Sequence, residues 1–125
     1  MEKLPAQMTV VGISKPGGPE VLLPETRAVP VPGPGEILVK VHYAGLNWPD
    51  IGQRTGGYPV PPGASPIMGL EMAGEVVEAA GRWKVGDKVC ALLGGGGYAE
   101  YVALDARHAL RQRKRRLERF RQPLL

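Results

Sequence analysis

Sulfur and imidazole are scarce in this chain, and the scarcity closes off several chemistries. One cysteine, Cys90, stands among 125 residues, so no internal disulfide can form and no four-cysteine zinc site can exist. Cys90 sits in a strand-like run, Lys88-Val89-Cys90-Ala91-Leu92, and reads as a small buried thiol rather than a nucleophile. Two histidines, His42 and His108, are far apart in sequence and read as surface or strand-edge residues, not ligands. No apolar run approaches the ~20 residues that a membrane span needs. No apolar signal core follows the charged N-terminus either, so a cytoplasmic location is expected.

Glycine and proline are abundant instead, with 18 and 13 residues. They follow no strict triplet period, which excludes a collagen-like chain. Between them lie short apolar runs, as a protein of many short strands and tight turns requires. Thr9 to Ile13 reads as a first strand, Lys15 to Glu20 as a turn, and Val21 to Leu23 as a second strand. Val29 to Gly35 is extended and then turns, since prolines this dense cannot sit in a central strand. From Glu36 to Tyr43, Ile37, Val39 and Val41 alternate with Leu38, Lys40 and His42, the period of a strand. Leu38 on the otherwise polar side predicts that both faces are partly covered.

Ala44 to Gly57 reads as a loop with one helical turn near Pro49, and Tyr58 to Pro66 as irregular. Further strands are predicted over Met72–Ala79, Lys88–Leu93 and Tyr98–Val102, with Gly81–Asp87 as a turn. Six or seven short strands imply a mainly β fold, a barrel or sandwich.

The net charge of +4 is unevenly placed. Residues 1–106 carry a net of −3, and residues 107–125 carry a net of +7. A shift this abrupt marks a boundary. Leu110, Leu117, Phe120 and Leu124 fall at helical offsets in the basic tail, which predicts a short helix that Pro123 would end.

Taken in order, several motifs resemble the medium-chain dehydrogenase/reductase superfamily, and within it the zinc-independent quinone oxidoreductase branch. They are Pro16-Gly17-Gly18-Pro19-Glu20-Val21-Leu22, Pro32-Gly33-Pro34-Gly35-Glu36-Ile37-Leu38-Val39-Lys40-Val41 and Ala44-Gly45-Leu46-Asn47-Trp48-Pro49-Asp50. Gly69-Leu70-Glu71-Met72-Ala73-Gly74, Val85-Gly86-Asp87-Lys88-Val89 and Gly95-Gly96-Gly97-Tyr98-Ala99-Glu100-Tyr101-Val102 complete the set. Gln53-Arg54 with Pro61-Pro62-Gly63-Ala64-Ser65 resembles best the p53-inducible quinone-oxidoreductase-like group.

The resemblance implies that residues 1–110 form a GroES-like, partly open β-barrel domain. It also implies a full-length partner domain of Rossmann type binding NADPH or NADH, and a quinone-like substrate. Metal-using relatives place zinc ligands where Asn47 and Leu70 stand, and neither side chain can replace a thiolate or imidazole. No metal is therefore expected.

Without a Lewis acid, hydride transfer relies on positioning and hydrogen bonding. The resemblance puts Asn47 beside the nicotinamide and the substrate carbonyl, whereas its residue type alone suggests an Asx turn or loop cap. Tyr58 would wall the same cleft, or pack under the proline-rich loops. Asp50 would support the cleft or cap the turn after Pro49. Gln53 and Arg54 would contact cofactor or form a solvated face. Glu71 is read as a local hydrogen-bonding group.

The run Gly94–Gly97 is not a phosphate loop, because a strand rather than a helix follows it. No Gly-x-Gly-x-x-Gly or Ala-x-Gly-x-x-Gly follows a strand in the chain. The basic tail, residues 111–125, departs from the resembled family, which a truncated or frameshifted reading frame accounts for. On that view the chain alone binds no cofactor tightly and is inactive, with an exposed domain interface prone to oligomer formation or aggregation. The alternative is a binding module whose basic arm contacts nucleic acid or an anionic surface; the lack of aromatic interleaving beyond Phe120 makes nucleic acid the weaker expectation.

Overall fold

The computed structural model describes residues 4–112. Seven strands, one α-helix and two short 3-10 turns follow in order. They are β1 (Gln7–Ile13), β2 (Leu22–Ala28), β3 (Glu36–Ala44), α1 (Trp48–Thr55), β4 (Glu71–Glu78), β5 (Lys88–Leu92), β6 (Tyr101–Asp105) and β7 (Leu110–Arg111). β1 and β2 pair as an antiparallel hairpin, and the others form an antiparallel sheet in the order β6-β3-β4-β5-β7. The sheets do not close on themselves, so the expected partly open, mainly β architecture is what the chain adopts.

β3 is an interior strand of the larger sheet, flanked by β6 and β4. Its successive side chains point to opposite faces, and both faces are covered. Ile37 and Val39 enter a core with Met72, Val76, Trp83, Val89 and Leu104. Leu38 enters a second core with Met8, Val10 and Tyr101. The apolar Leu38 on the "polar" side thus marks the face that the β1–β2 hairpin covers. Pro24 is tolerated because β2 pairs on one side only.

Two expectations are corrected. The single helical turn at Pro49 is an eight-residue helix, α1. Asn47 precedes it in extended conformation, Pro49 lies in its first turn, and Gly56 ends it at φ 90°. Gly52 inside the segment lowers helix propensity, which is why the sequence reads as less helical than it is.

The last long strand also begins later than Tyr98. The Val11 N–H donates to Tyr98 O at 2.9 Å, the Glu100 N–H donates to Thr9 O at 3.2 Å, and Val10 bridges Ala99. The chain pairs with β1 there before it joins β3 as β6.

The turn Gly81–Asp87 holds Trp83, the largest fully buried side chain among the described residues. The expected domain edge at residue 110 falls within β7, and the Gln112 N–H continues the pairing by donating to Lys88 O at 3.0 Å. The tail helix expected beyond it lies outside the described residues. Among the described residues no helix is long and apolar enough to cross a membrane.

Candidate active site

A register shift between Val41 and Tyr43 leaves His42 unpaired with β4. Such a bulge bends its strand, and β3 leads from it into the loop that carries Asn47. The helix start is fixed chemically. Asp50 Oδ2 accepts from the Asn47 backbone N–H at 2.9 Å, and the Asp50 N–H donates to Asn47 O at 3.0 Å. An acidic group in the first turn satisfies an otherwise orphaned amide and complements the helix dipole. The capping role anticipated for Asp50 is therefore the one its backbone contact shows.

Above this turn lies an open cavity of about 430 Å³, lined by Leu22, Leu46, Asn47, Trp48, Asp50, Ile51, Arg54, Met68 and Tyr98. Its walls are mostly apolar, and Leu46 and Trp48 are 87% and 84% exposed. Asp50 is only 7% exposed. Asn47 Nδ2 and Asp50 Oδ1 are both buried without a hydrogen-bond partner. Buried polar atoms of this kind cost about 1–3 kcal/mol each when left unpaired, so they are uncommon without a purpose.

Tyr98, to which neither the sequence pattern nor the family resemblance gives a role, completes the floor. Its hydroxyl donates to Asp50 Oδ2 and lies 3.1 Å from Gly45 O. Burial, then the Asp50 hydrogen bond and the charges of Asp50 and Glu71, push the phenol far above its usual pKa of 10.0. The phenol therefore keeps its proton and serves as a donor, not as an acid.

Tyr98 binds its proton more tightly folded than unfolded, so its stabilising effect is complete below about pH 10 and is lost as pH rises beyond. The wild-type chain is expected to lose stability relative to Tyr98→Phe as pH rises above 10, measurable by urea denaturation at stepped pH.

The other sequence candidates are dispersed. Tyr58 lies beyond the cavity lining, and its N–H donates to Gly52 O at 3.2 Å. Gln53 is also outside the lining, its side-chain amide donating to Pro66 O at 3.3 Å. Arg54 lines the cavity while its Nε donates to Gly17 O at 3.1 Å. The Glu71 carboxylate lies against Gly45, where any Cβ would overlap it. Asn47, Asp50 and Tyr98 are thus the polar group that the fold gathers with Arg54.

The signal for Tyr98 is the glycine run before it. Gly69 and Gly97 approach so closely that a Cβ on Gly69 would stand 2.5 Å from Tyr98 N. Gly94–Gly97 itself is a loop between β5 and β6, packed on Ser65 to Gly69 rather than opening a helix. Among the described residues no group of three or more His, Cys, Asp or Glu could hold a metal ion.

Comparison with known proteins converges on one family. Residues 33–114 match the alcohol dehydrogenase GroES-like domain. The chain is 40% identical over 97 residues to a probable quinone oxidoreductase of Schizosaccharomyces pombe, covering 74% of this chain and 29% of that protein. The quinone oxidoreductase structure from Pseudomonas syringae pv. Tomato DC3000 superposes with a TM-score of 0.73 at 34% identity, over 86% of this chain and 34% of that one. The human synaptic vesicle membrane protein VAT-1 homolog-like protein superposes with a TM-score of 0.78 at 27% identity, over 86% and 36%. The chain spans about a third of the length of the proteins it matches. It belongs to the alcohol dehydrogenase GroES-like domain family, as an N-terminal domain of the quinone oxidoreductase type within the medium-chain dehydrogenases/reductases.

Proposed function

We propose that this domain forms the substrate-side wall of an NAD(P)H-dependent quinone or enone oxidoreductase that works without zinc. The observation that carries the reading is Asn47 Nδ2, a buried amide donor with no protein partner, beside an apolar cavity. Zinc independence is supported by Asn47 and Leu70, which occupy the positions of ligands in metal-using relatives.

The residues present fit one face of a nicotinamide ring: apolar walls from Leu46, Trp48 and Met68, and an unpaired amide at Asn47. The dihydronicotinamide supplies the hydride when bound. Asn47 donates to the substrate carbonyl oxygen, where negative charge develops as the carbonyl is reduced. A donor aimed at developing charge in a dry site is worth about 10²–10³ in rate. Once a second wall closes over the cavity, Leu46, Trp48 and Met68 are placed to exclude water around it. Asp50 holds the Asn47 backbone, and Arg54 brings positive charge to the cavity edge.

One wall does not hold two reactants within reach of each other. Exposed Tyr43, Leu92 and Leu110 flank a neighbouring apolar groove, which suits the packing of a second domain. The reading is tested by joining the chain to the nucleotide-binding half of a quinone oxidoreductase and following NADPH oxidation with a quinone. The joined protein is expected to turn over, the 125-residue chain alone is not, and Asn47→Ala is expected to lower kcat/KM about 10²-fold. Turnover by the chain alone, or an unaffected Asn47→Ala variant, overturns the reading.

A further inference from the structure

We propose that Tyr98 is a positioning residue for this cavity: through Asp50 it fixes the first turn of α1 and with it the Asn47 amide. One carboxylate oxygen, Asp50 Oδ2, receives both the Tyr98 hydroxyl and the Asn47 backbone N–H. The same hydroxyl lies 3.1 Å from Gly45 O, so the β3–α1 connection is held at two points by one side chain from a distant stretch.

The Tyr98 backbone is itself tied on two sides. Its carbonyl accepts from the Val11 N–H at 2.9 Å and its N–H donates to Met68 O at 2.9 Å. Gly69, at φ 106°, presses its Cα against the Gly97–Tyr98 backbone and leaves no slack.

The two ends of α1 differ in what holds them. The C-terminal half is tied by Arg54 to Gly17, through a side-chain and a backbone hydrogen bond, and by Gln53 to Pro66. The N-terminal turn has Tyr98. A helix of eight residues does not sustain its own ends in water, so an outside anchor decides where its first turn sits. The phenol holds its proton throughout the physiological range, so Tyr98 stays a hydrogen-bond donor there.

Amide hydrogen exchange on the full 125-residue chain, read by NMR, tests the assignment. Tyr98→Phe keeps the ring and removes the donor. Exchange at the Asn47 and Asp50 N–H groups is expected to accelerate about tenfold or more, the scale of a lost hydrogen bond to a charged group. The sheet amides of Val39 and Val76 are expected to keep their rates. Asp50→Asn retains an acceptor oxygen and is expected to preserve most of the protection, whereas Asp50→Ala loses it. In the Asp50→Ala background, Tyr98→Phe is expected to add nothing, because the two act as one unit.

A second readout rests on the proposed reductase role. It titrates duroquinone, whose ring methyls block addition of Cys90, against the methyl signals of Leu46, Ile51 and Met68. Tyr98→Phe is expected to weaken that binding about fivefold or more. Unchanged Asn47 exchange in Tyr98→Phe, or equal acceleration across the whole sheet, overturns the proposal. If the chain alone takes up no duroquinone, the titration is made on the joined protein; a joined protein that neither binds nor reduces the quinone overturns the reductase reading, and the exchange result decides Tyr98.

Discussion

Replacing Trp83 with alanine is expected to destabilise the domain by about 3–5 kcal/mol, the range for emptying an aromatic site in a packed core. Trp83 is 2% exposed and packs with Ile37, Val39, Val76 and Val89. Its Nε1–H donates to Ala106 O at 2.7 Å, tying the β4–β5 turn to the turn after β6. Arg82 and Arg111 lie over its ring at 4.4 and 5.0 Å from the centroid, which adds a cation–π contribution at the protein surface. Domains of this size are stable by about 5–15 kcal/mol, so the loss is a large fraction of the whole. Trp83→Phe separates the terms. It keeps most of the ring and leaves Ala106 O unpaired, for an expected loss of about 1–3 kcal/mol. Urea denaturation of the three proteins measures both; a Trp83→Ala loss below that of Trp83→Phe would contradict this account.

Gly69→Ala is expected to cost about 4 kcal/mol, from backbone strain and overpacking together. Gly69 adopts φ 106°, which L residues rarely accept, and its Cβ would meet Tyr98 N, Gly97 Cα and Gly97 C at 2.5, 2.6 and 2.7 Å. The obstacle is backbone, so no side-chain rotation relieves it. Gly86 supplies the control. It has a comparable φ of 97° but nothing within 4 Å of its Cβ position. Gly86→Ala therefore reads the strain alone, about 1–3 kcal/mol, and the difference between the two variants isolates the clash. Equal losses would show that the approach of Gly69 to Tyr98 carries no energetic weight. Because the displaced backbone is that of Gly97 and Tyr98, Gly69→Ala is also expected to disturb the cavity floor.

The strands were readable where burial follows period two. β3 is the clearest case: the alternation Ile37, Leu38, Val39 predicted two covered faces, and two cores are there. The helix was under-read because Gly52 masks a segment whose ends, Asn47 with Asp50 and then Gly56, carry strong cap signals. Trp83 was hidden inside a turn, since turn chemistry in Gly81 and Gly86 says nothing about where the aromatic between them points. The start of β6 was misplaced because Tyr98 to Glu100 pair with β1, a partner far away in sequence.

The same long range conceals half of the site. Asn47 and Asp50 are neighbours on one turn and could be proposed together from their spacing and from the family resemblance. Tyr98 meets Asp50 across 48 positions, and only the glycines before it hint at a close approach. Tyr58, which the resemblance puts at the cleft wall, is 38% exposed and outside the lining of this cavity, and its N–H donates back to Gly52 O in α1.

The chain's two tryptophans occupy opposite surroundings: Trp83 is sealed in the core, and Trp48 stands in solvent at the cavity. Their emission is accordingly separable without any label. A soluble quencher reaches Trp48 and leaves Trp83 bright, so light from Trp48 reports on what enters the cavity. Light from Trp83 shifts to longer wavelength only when the core opens to water. Occupancy and unfolding can thus be followed in one cuvette, by two colours of a single amino acid.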